Sequence, residues 1–224
     1  MQIDVRDVPV FVINLDSHKD KFNRTLSILK KANFRYVERI PAISNPLDGQ
    51  LGLIHTHIEY VTRIDTPFIL LEDDVAINSQ NFQISIPDES DCCYLGNSAW
   101  GFWDGKSKPR VSYQTVGNYP NVLRVQNMLS AHAILFTKSR YLRHVGIELS
   151  KDWSSGKSCF ARVDQAYATL QREYNVYALN SPLFYQKRHQ DSMTDNEKYT
   201  NQKLTDYSFR AMPLKQLLIR LAPK

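Results

Sequence analysis

The residues best suited to chemistry form an acidic run, Glu72-Asp73-Asp74, directly after the apolar segment Phe68–Leu71. Adjacent carboxylates repel one another, so this placement brings the chain no stability of its own. In an extended segment Glu72 and Asp74 point to one side and Asp73 to the other. Carboxylate oxygens are the ligands that magnesium and manganese prefer, and such a cation can bridge to a diphosphate. The run predicts either a DXD-like metal site or a solvated turn whose acids cap the next helix.

The segments around the acids alternate between strand-like and helix-like patterns. Val8–Leu15, Arg35–Ile40 and Thr66–Val75 are predicted strands, and Asp16–Asn33 and Gln50–Ile64 are predicted helices. This alternation is typical of an α/β unit with a parallel sheet, in which ligands bind at the carboxyl ends of the strands. We therefore expect the acids at that edge.

The rest of the chain predicts shorter elements. The strands are Cys92–Gly96, Arg110–Val116, Val122–Val125, Ala133–Thr137 and Val176–Leu179, and the helices are Lys138–Val145 and Asp164–Glu173. Because no long linker interrupts the pattern, we expect one domain over residues 1–209 and a tail over residues 210–224. The predicted fold class is α/β, with a mostly parallel sheet flanked by helices.

Composition narrows the function classes. The 224 residues are 42% hydrophobic, which indicates a globular domain with a real core and excludes disordered and collagen-like classes. Of the net charge of +5, the tail contributes +4, because residues 210–224 contain four basic residues and no acid. A nucleic-acid binder usually carries a basic face on its folded body, so we expect no nucleic-acid partner.

The tail and the cysteines bear on location. Leu214, Leu217, Leu218 and Leu221 follow helical spacing among basic residues, which predicts either peripheral membrane contact or an ordinary last helix packed on the domain. No apolar run approaches the roughly 18 residues that span a bilayer. With no signal-peptide pattern and only three cysteines, which form no disulfide or zinc pattern, we expect a cytoplasmic protein.

Five short blocks follow one another in order: Phe11–Leu15 with Arg24, Gly52–His57, Ile69–Val75, Val163–Ala166, and Ser181–Gln186 with Asp191-Ser192. Together they resemble the signature blocks of glycosyltransferase family 25, which includes lipopolysaccharide-type sugar transferases and collagen galactosyltransferases. Leu53 and Thr56 stand where the family usually has Cys and Ser, and Asp191-Ser192 reverses the family's Ser-Asp. These departures leave the acceptor open.

The resemblance implies a GT-A-type fold with a Rossmann-like sheet. It implies transfer of a hexose, galactose or glucose, from a UDP-sugar to a hydroxyl of a glycan or other acceptor, with inversion and with Mn²⁺ or Mg²⁺ as cofactor. Lipopolysaccharide biosynthesis is one setting for such an enzyme. By the resemblance, Glu72 and Asp74 bind the metal and donor, and Asp73 orients ribose or sugar hydroxyls.

Other residues are candidates for the remaining tasks. Asp164 begins a predicted helix and is either the catalytic base or an acid of its first turn. Asn14 and Arg24 lie where a GT-A fold receives the nucleotide, and a guanidinium suits a phosphate. His57 shapes the donor pocket or is structural. His189 completes the metal site, or else Lys187 and Arg188 clamp phosphate without it.

The acceptor side has four candidates: Trp100, Trp103, His132 and Gln186. The two tryptophans offer flat apolar faces to a sugar, or they anchor a loop in the core. The following loop, Asp104–Pro109, is a candidate lid.

Three other functions remain open. A glycosyltransferase that modifies a nucleic-acid base is opposed by the charge of only +1 on residues 1–209. An inactive sugar-binding module of the same fold would bind without turnover. A nucleotidyltransferase ranks last, because the chain lacks the expected glycine-rich phosphate loop.

Overall fold

A computed structural model describes residues 1–103, 106–108, 111–155, 162–187 and 200–207 of the chain. In chain order its elements are β1 (Gln2–Asp4), β2 (Val10–Asn14), α1 (Lys19–Lys31), β3 (Val37–Pro41), α2 (Gly49–Glu59), β4 (Phe68–Glu72), β5 (Val75–Ile77), β6 (Gln83–Ser85), β7 (Cys92–Tyr94), β8 (Gly101–Trp103), β9 (Lys106–Lys108), β10 (Tyr113–Thr115), β11 (Val122–Val125), β12 (Ala133–Phe136), α3 (Ser139–Ser155), α4 (Arg162–Leu170), β13 (Val176–Leu179) and β14 (Phe184–Gln186).

The main sheet has eight strands in the order β10-β11-β13-β7-β12-β4-β2-β3. Of its seven pairings in the described residues, β2–β3, β2–β4 and β7–β13 are parallel and four are antiparallel. The predicted α/β class is confirmed, but the prediction of a mostly parallel sheet is wrong. Parallel neighbours need a crossover connection, usually a helix. Between β7 and β12 the described residues form only strands and loops, and β12 enters antiparallel between β4 and β7.

Helices cover both faces of this sheet, and β4 shows how its sequence serves both. Phe68 and Leu70 belong to one core cluster and Ile69 and Leu71 to the other, because alternate strand residues face opposite sides. The first cluster includes residues of α2, α3 and α4, and the second includes Leu29 of α1. Burial on both faces explains the unbroken apolar run, and it fixes where the acids after it emerge.

Predicted boundaries shift where the chain forms 3₁₀ turns. The first predicted helix, Asp16–Asn33, begins only at Lys19 as α1, because Asp16–His18 forms such a turn. Helix α2 ends at Glu59, before another turn at Val61–Arg63. Helix α3 continues to Ser155, well beyond the predicted end at Val145. The three-residue strands β1, β5, β6, β8, β9 and β14 were not predicted, since so few residues show no periodicity. No described helix is both long and apolar enough to cross a membrane.

Gly52 in α2 explains one of the sequence blocks by packing. A Cβ at this position would lie 2.4 Å from the backbone O of Ile43, in the loop after β3. Thr56, one turn later, accepts a hydrogen bond from the Ile43 N–H at 2.8 Å and donates to the Gly52 O at 2.8 Å. The Gly-x-x-x-Thr spacing therefore joins α2 to the end of β3, next to the carboxyl edge of the sheet.

This contact yields a stability prediction with a matched control in the same helix. We expect Gly52→Ala to lower the free energy of unfolding by about 1–3 kcal/mol, because backbone must move to admit the methyl group. Gly49→Ala should be neutral or slightly stabilising, since a Cβ there meets nothing within 4 Å. Urea unfolding of both variants measures the difference, and equal effects would contradict the proposed packing.

Candidate active site

The three acids lie at an edge where strand ends meet. Strand β2 lies between β3 and β4 and is parallel to both, so the carboxyl ends of the three strands share one edge of the sheet. Glu72 ends β4, and Asp73 and Asp74 form a turn before β5. The backbone of this turn is held from two sides: Glu72 N donates to the His132 O at 3.0 Å, and Thr25 Oγ1 of α1 donates to the Asp73 O at 2.9 Å.

Gln186 lies beside two of the acids, Glu72 and Asp74. Strand β14 pairs antiparallel with β5 and places Gln186 opposite Val75. Its Nε2 donates to Glu72 Oε2 at 2.8 Å, and the same side chain acts to lower the pKa of Asp74. The backbone N–H of Lys187 donates to the Asp74 O at 2.9 Å. Gln186, a candidate for the acceptor side, thus lies beside the acids, where its side chain holds Glu72.

Burial and mutual repulsion disfavour the ionised forms of Glu72 and Asp74 in the protein alone. Each residue keeps part of its surface exposed, but the carboxyl groups of Glu72 and Asp74 are desolvated by the surrounding protein. Burial raises the pKa of Glu72 well above its usual value, and the charges of Asp74, Asp164 and Asp73 raise it further. Burial, then the charge of Asp73, raises the pKa of Asp74 to about 6, with Lys21 of α1 opposing. A bound cation would relieve this repulsion.

The acids meet part of what a divalent cation requires. Asp74 Oδ1 is buried and has no hydrogen-bond partner among the described residues, so it is an orphaned acceptor beside Glu72. No group of three or more His, Cys, Asp or Glu side chains within the described ranges is arranged to hold a metal ion. Mg²⁺ commonly takes only one or two carboxylates and fills its shell with water and substrate phosphates. Glu72 and Asp74 fit that role.

Asp73 turns away from this pair toward β2. Asn14, fully buried at the end of β2, donates from Nδ2 to Asp73 Oδ2 at 2.6 Å. Arg39 of β3 donates from Nε to Asn14 Oδ1 at 2.9 Å. Sequence reasoning missed Arg39. Its signal was a long cationic side chain inside a predicted strand, where a charge needs partners to be half-buried.

On α1, the predicted donor-binding Arg24 is paired with Asp20, and Lys21 is the basic residue whose charge acts on Asp74. Arg24 is exposed on α1, where its Nη2 bonds to Asp20 at 2.9 Å. No contact joins it to the acids among the described residues. Lys21 is half-buried and is the cation whose charge favours ionised Asp74. It shares a helix face with Thr25, four residues on, and that spacing was the signal in the sequence.

Asp164 lies near the acids and also in the first turn of α4. Its charge raises the pKa of Glu72, which indicates that the two carboxylates are within electrostatic reach. Its neighbours Val163, Ala166 and Tyr167 are buried in the core, so the helix holds Asp164 rigidly. Its two interpretations, catalytic base and first-turn acid, are compatible with this position.

Both histidines of the predicted site are buried and packed. His57 Nδ1 donates to the Leu53 O at 2.9 Å, and its ring meets Tyr167 edge-on. His132 Nδ1 is 3.1 Å from Ser130 Oγ, and its ring lies so close to Gly96 that a Cβ there would clash. Burial lowers the pKa of each to about 4. Their described side-chain contacts are structural, whereas the backbone O of His132 holds Glu72.

The aromatic candidates lie on the α4 side. Trp100 is half-buried before β8, and its backbone N–H donates to Ser98 Oγ at 3.1 Å. Strand β8 packs against α4, which carries Asp164. The side chain of Trp103, residues 104, 105 and 109 of the candidate lid, His189, and residues 210–224 lie outside the described residues, and residues 106–108 of that segment form β9.

Comparison with known proteins does not place the chain in a family. No family model matches it, and no curated protein matches it. The resemblance to glycosyltransferase family 25 therefore rests on the five sequence blocks alone.

The buried His57 predicts an acid-dependent loss of stability. Its pKa is about 4 in the folded protein and 6.5 in the unfolded chain, so only the unfolded chain takes up a proton between these values. The contribution of His57 to the free energy of unfolding is complete above pH 6.5. It falls as the pH drops and is smaller by about 3 kcal/mol at pH 4.

His57→Asn preserves a donor toward the Leu53 O and cannot titrate in this range. We expect the variant to be less stable at pH 7 but to lose less stability between pH 6.5 and pH 4. Urea unfolding across this range measures the slope. Equal slopes for the two proteins would contradict a neutral buried imidazole.

Proposed function

We propose that the protein is a metal-dependent inverting glycosyltransferase that moves a hexose from a UDP-sugar to a hydroxyl of a glycan-type acceptor. One observation carries the proposal: Glu72, held by Gln186, and Asp74 are buried carboxyl groups that repel each other, with the charge of Asp164 within reach of Glu72. This gathering of repelling acids is costly in the protein alone, and a cation bound with a diphosphate would offset it.

The reaction assigns a task to each group. The acceptor oxygen attacks the anomeric carbon, the new C–O bond forms, and the bond from that carbon to the UDP oxygen breaks with its electrons. Asp164 takes the proton of the acceptor hydroxyl. Glu72 and Asp74 would hold Mn²⁺ or Mg²⁺, which when bound neutralises charge on the leaving diphosphate. Asp73 orients ribose or sugar hydroxyls of the donor.

The GT-A-type fold remains part of the proposal. It is supported by the parallel strands β3, β2 and β4, with helices on both faces and acids at their carboxyl edge. The cytoplasmic location and membrane contact through residues 210–224 stay predictions.

The acidic pair can be tested by opposite effects of one substitution. In metal-free protein at neutral pH we expect Glu72→Gln to raise the free energy of unfolding by about 1 kcal/mol, because it removes a repelling carboxyl group and its amide oxygen still accepts from Gln186. The same variant should lose most of the thermal stabilisation that Mn²⁺ with UDP-glucose or UDP-galactose gives the wild type. Differential scanning fluorimetry with and without Mn²⁺ measures both effects.

Asp74→Asn should behave in the same way, and Glu38→Gln on the exposed side of β3 is the matched control. A wild-type protein that no UDP-hexose stabilises in the presence of Mn²⁺ would contradict the proposed donor. Unchanged donor hydrolysis in Glu72→Gln would contradict the metal assignment.

Asp164→Asn separates catalysis from binding. An amide cannot accept the acceptor proton, so we expect kcat for transfer to fall by about 10²- to 10⁴-fold with little change in donor affinity. Donor affinity is measured by calorimetry and turnover by UDP release, with exposed Asp65→Asn as control. Unchanged kcat would leave Asp164 as a first-turn acid and favour a sugar-binding module that does not turn over.

A further inference from the structure

The side chain of Asn14 has no polar hydrogen left for a ligand. Its two Nδ2 hydrogens go to Asp73 Oδ2 at 2.6 Å and to the His18 O at 2.8 Å. Its Oδ1 accepts from Arg39 Nε, and its backbone O accepts from Arg39 Nη2 at 3.1 Å and from the Ala42 N–H at 3.0 Å. A residue whose donors are all used inside the protein holds neighbouring groups in place. Asn14 therefore holds Asp73 rather than contacting a donor.

Arg39 fixes the orientation of the Asn14 amide from the oxygen side, as the His18 O and Asp73 do from the nitrogen side. An asparagine amide has nearly the same shape after a half-turn that exchanges its O and NH₂. A guanidinium only donates hydrogen bonds, so it is compatible only with the orientation in which Oδ1 faces it. The other orientation would set NH₂ against Arg39 and a carbonyl oxygen against the Asp73 carboxylate. Arg39 thereby directs Nδ2 toward Asp73.

The guanidinium is itself held in one place. Besides Asn14, its Nη2 contacts the carboxylate of Asp16 in the turn after β2. The register of the parallel pair sets Arg39 opposite Val12, so its side chain runs along β2 to the end of that strand. With 21% of the side chain exposed, the group is half-buried. A lysine has the charge but not the planar fork that makes these three contacts together.

We infer that Arg39 is a positioning residue for the donor: through Asn14 it sets the carboxylate of Asp73, whose Oδ1 then meets hydroxyls of the UDP-sugar. This inference rests on the proposed function, which gives Asp73 that task. Asp73 Oδ2 is occupied by Asn14, so one defined oxygen remains for the ligand. The inference deepens the donor site by a residue that belongs to none of the five sequence blocks.

The test compares Arg39→Gln, Arg39→Lys and Asn14→Ala in the full chain with Mn²⁺ and the UDP-hexose that the wild type uses. We expect Arg39→Gln to raise the donor KM about tenfold, the effect of a lost hydrogen bond to a charged group, while kcat changes less than threefold. Arg39→Lys should resemble Arg39→Gln. Arg39→Gln/Asn14→Ala should be no worse than Asn14→Ala, because both residues act on Asp73 in series.

Arg35→Gln is the matched control, since Arg35 lies in the loop two residues before the same strand, in an exposed pair with Asp7, and should leave KM unchanged. A merely structural role would lower the active fraction and hence kcat at an unchanged KM. That result, full activity of Arg39→Lys, or additive effects in the double variant would each overturn the inference.

The outcomes also separate this inference from the proposed function. Normal Mn²⁺-dependent turnover in the wild type with an unchanged donor KM in Arg39→Gln rejects the inference alone. A wild type that neither turns over nor binds any UDP-hexose by calorimetry rejects both.

Discussion

Like charges forced together at the end of a buried strand are the constraint on which the rest of this structure depends. Strand β4 is buried on both faces, so its four apolar residues leave no freedom in where Glu72 emerges. The following acids then meet elements from distant parts of the chain: Thr25 of α1, His132 before β12 and Gln186 of β14. None of these contacts supplies a full positive charge. These contacts therefore fix the positions of the acids without neutralising the repulsion between their carboxylates.

Position along the chain predicted part of this site well. The apolar run and the acids that follow it mark a strand end whatever the rest of the fold does, because burial of Phe68–Leu71 is a local demand. The location of Asn14 followed in the same way from β2. The pairing of β14 with β5 could not be predicted, since Gln186 and Val75 are far apart in sequence and three-residue strands carry no pattern. The sequence therefore identified Gln186 as a site residue but not its hydrogen bond to Glu72.

The direction of the strands was the main error, and it has a physical origin. Two strand–helix–strand units in succession justify a parallel sheet over β2, β3 and β4, and that part is parallel. Extending the inference to the later strands assumed a helical crossover before β12, and the described residues between β7 and β12 form no helix. The histidines show a similar limit. Near-complete burial of His57 and His132 is a tertiary property, and a sequence block cannot tell a packed imidazole from a ligand.

Arg39 illustrates how a site extends beyond the residues that a motif names. The acids are charged and easily seen, but an oriented carboxylate requires a donor whose own orientation is determined. An asparagine alone does not meet that requirement, because its amide can turn over. A guanidinium that only donates removes the ambiguity, and its place on β3 is set by register with β2. Orientation at the edge of this sheet thus derives from strand pairing, one of the most rigid features that the fold provides.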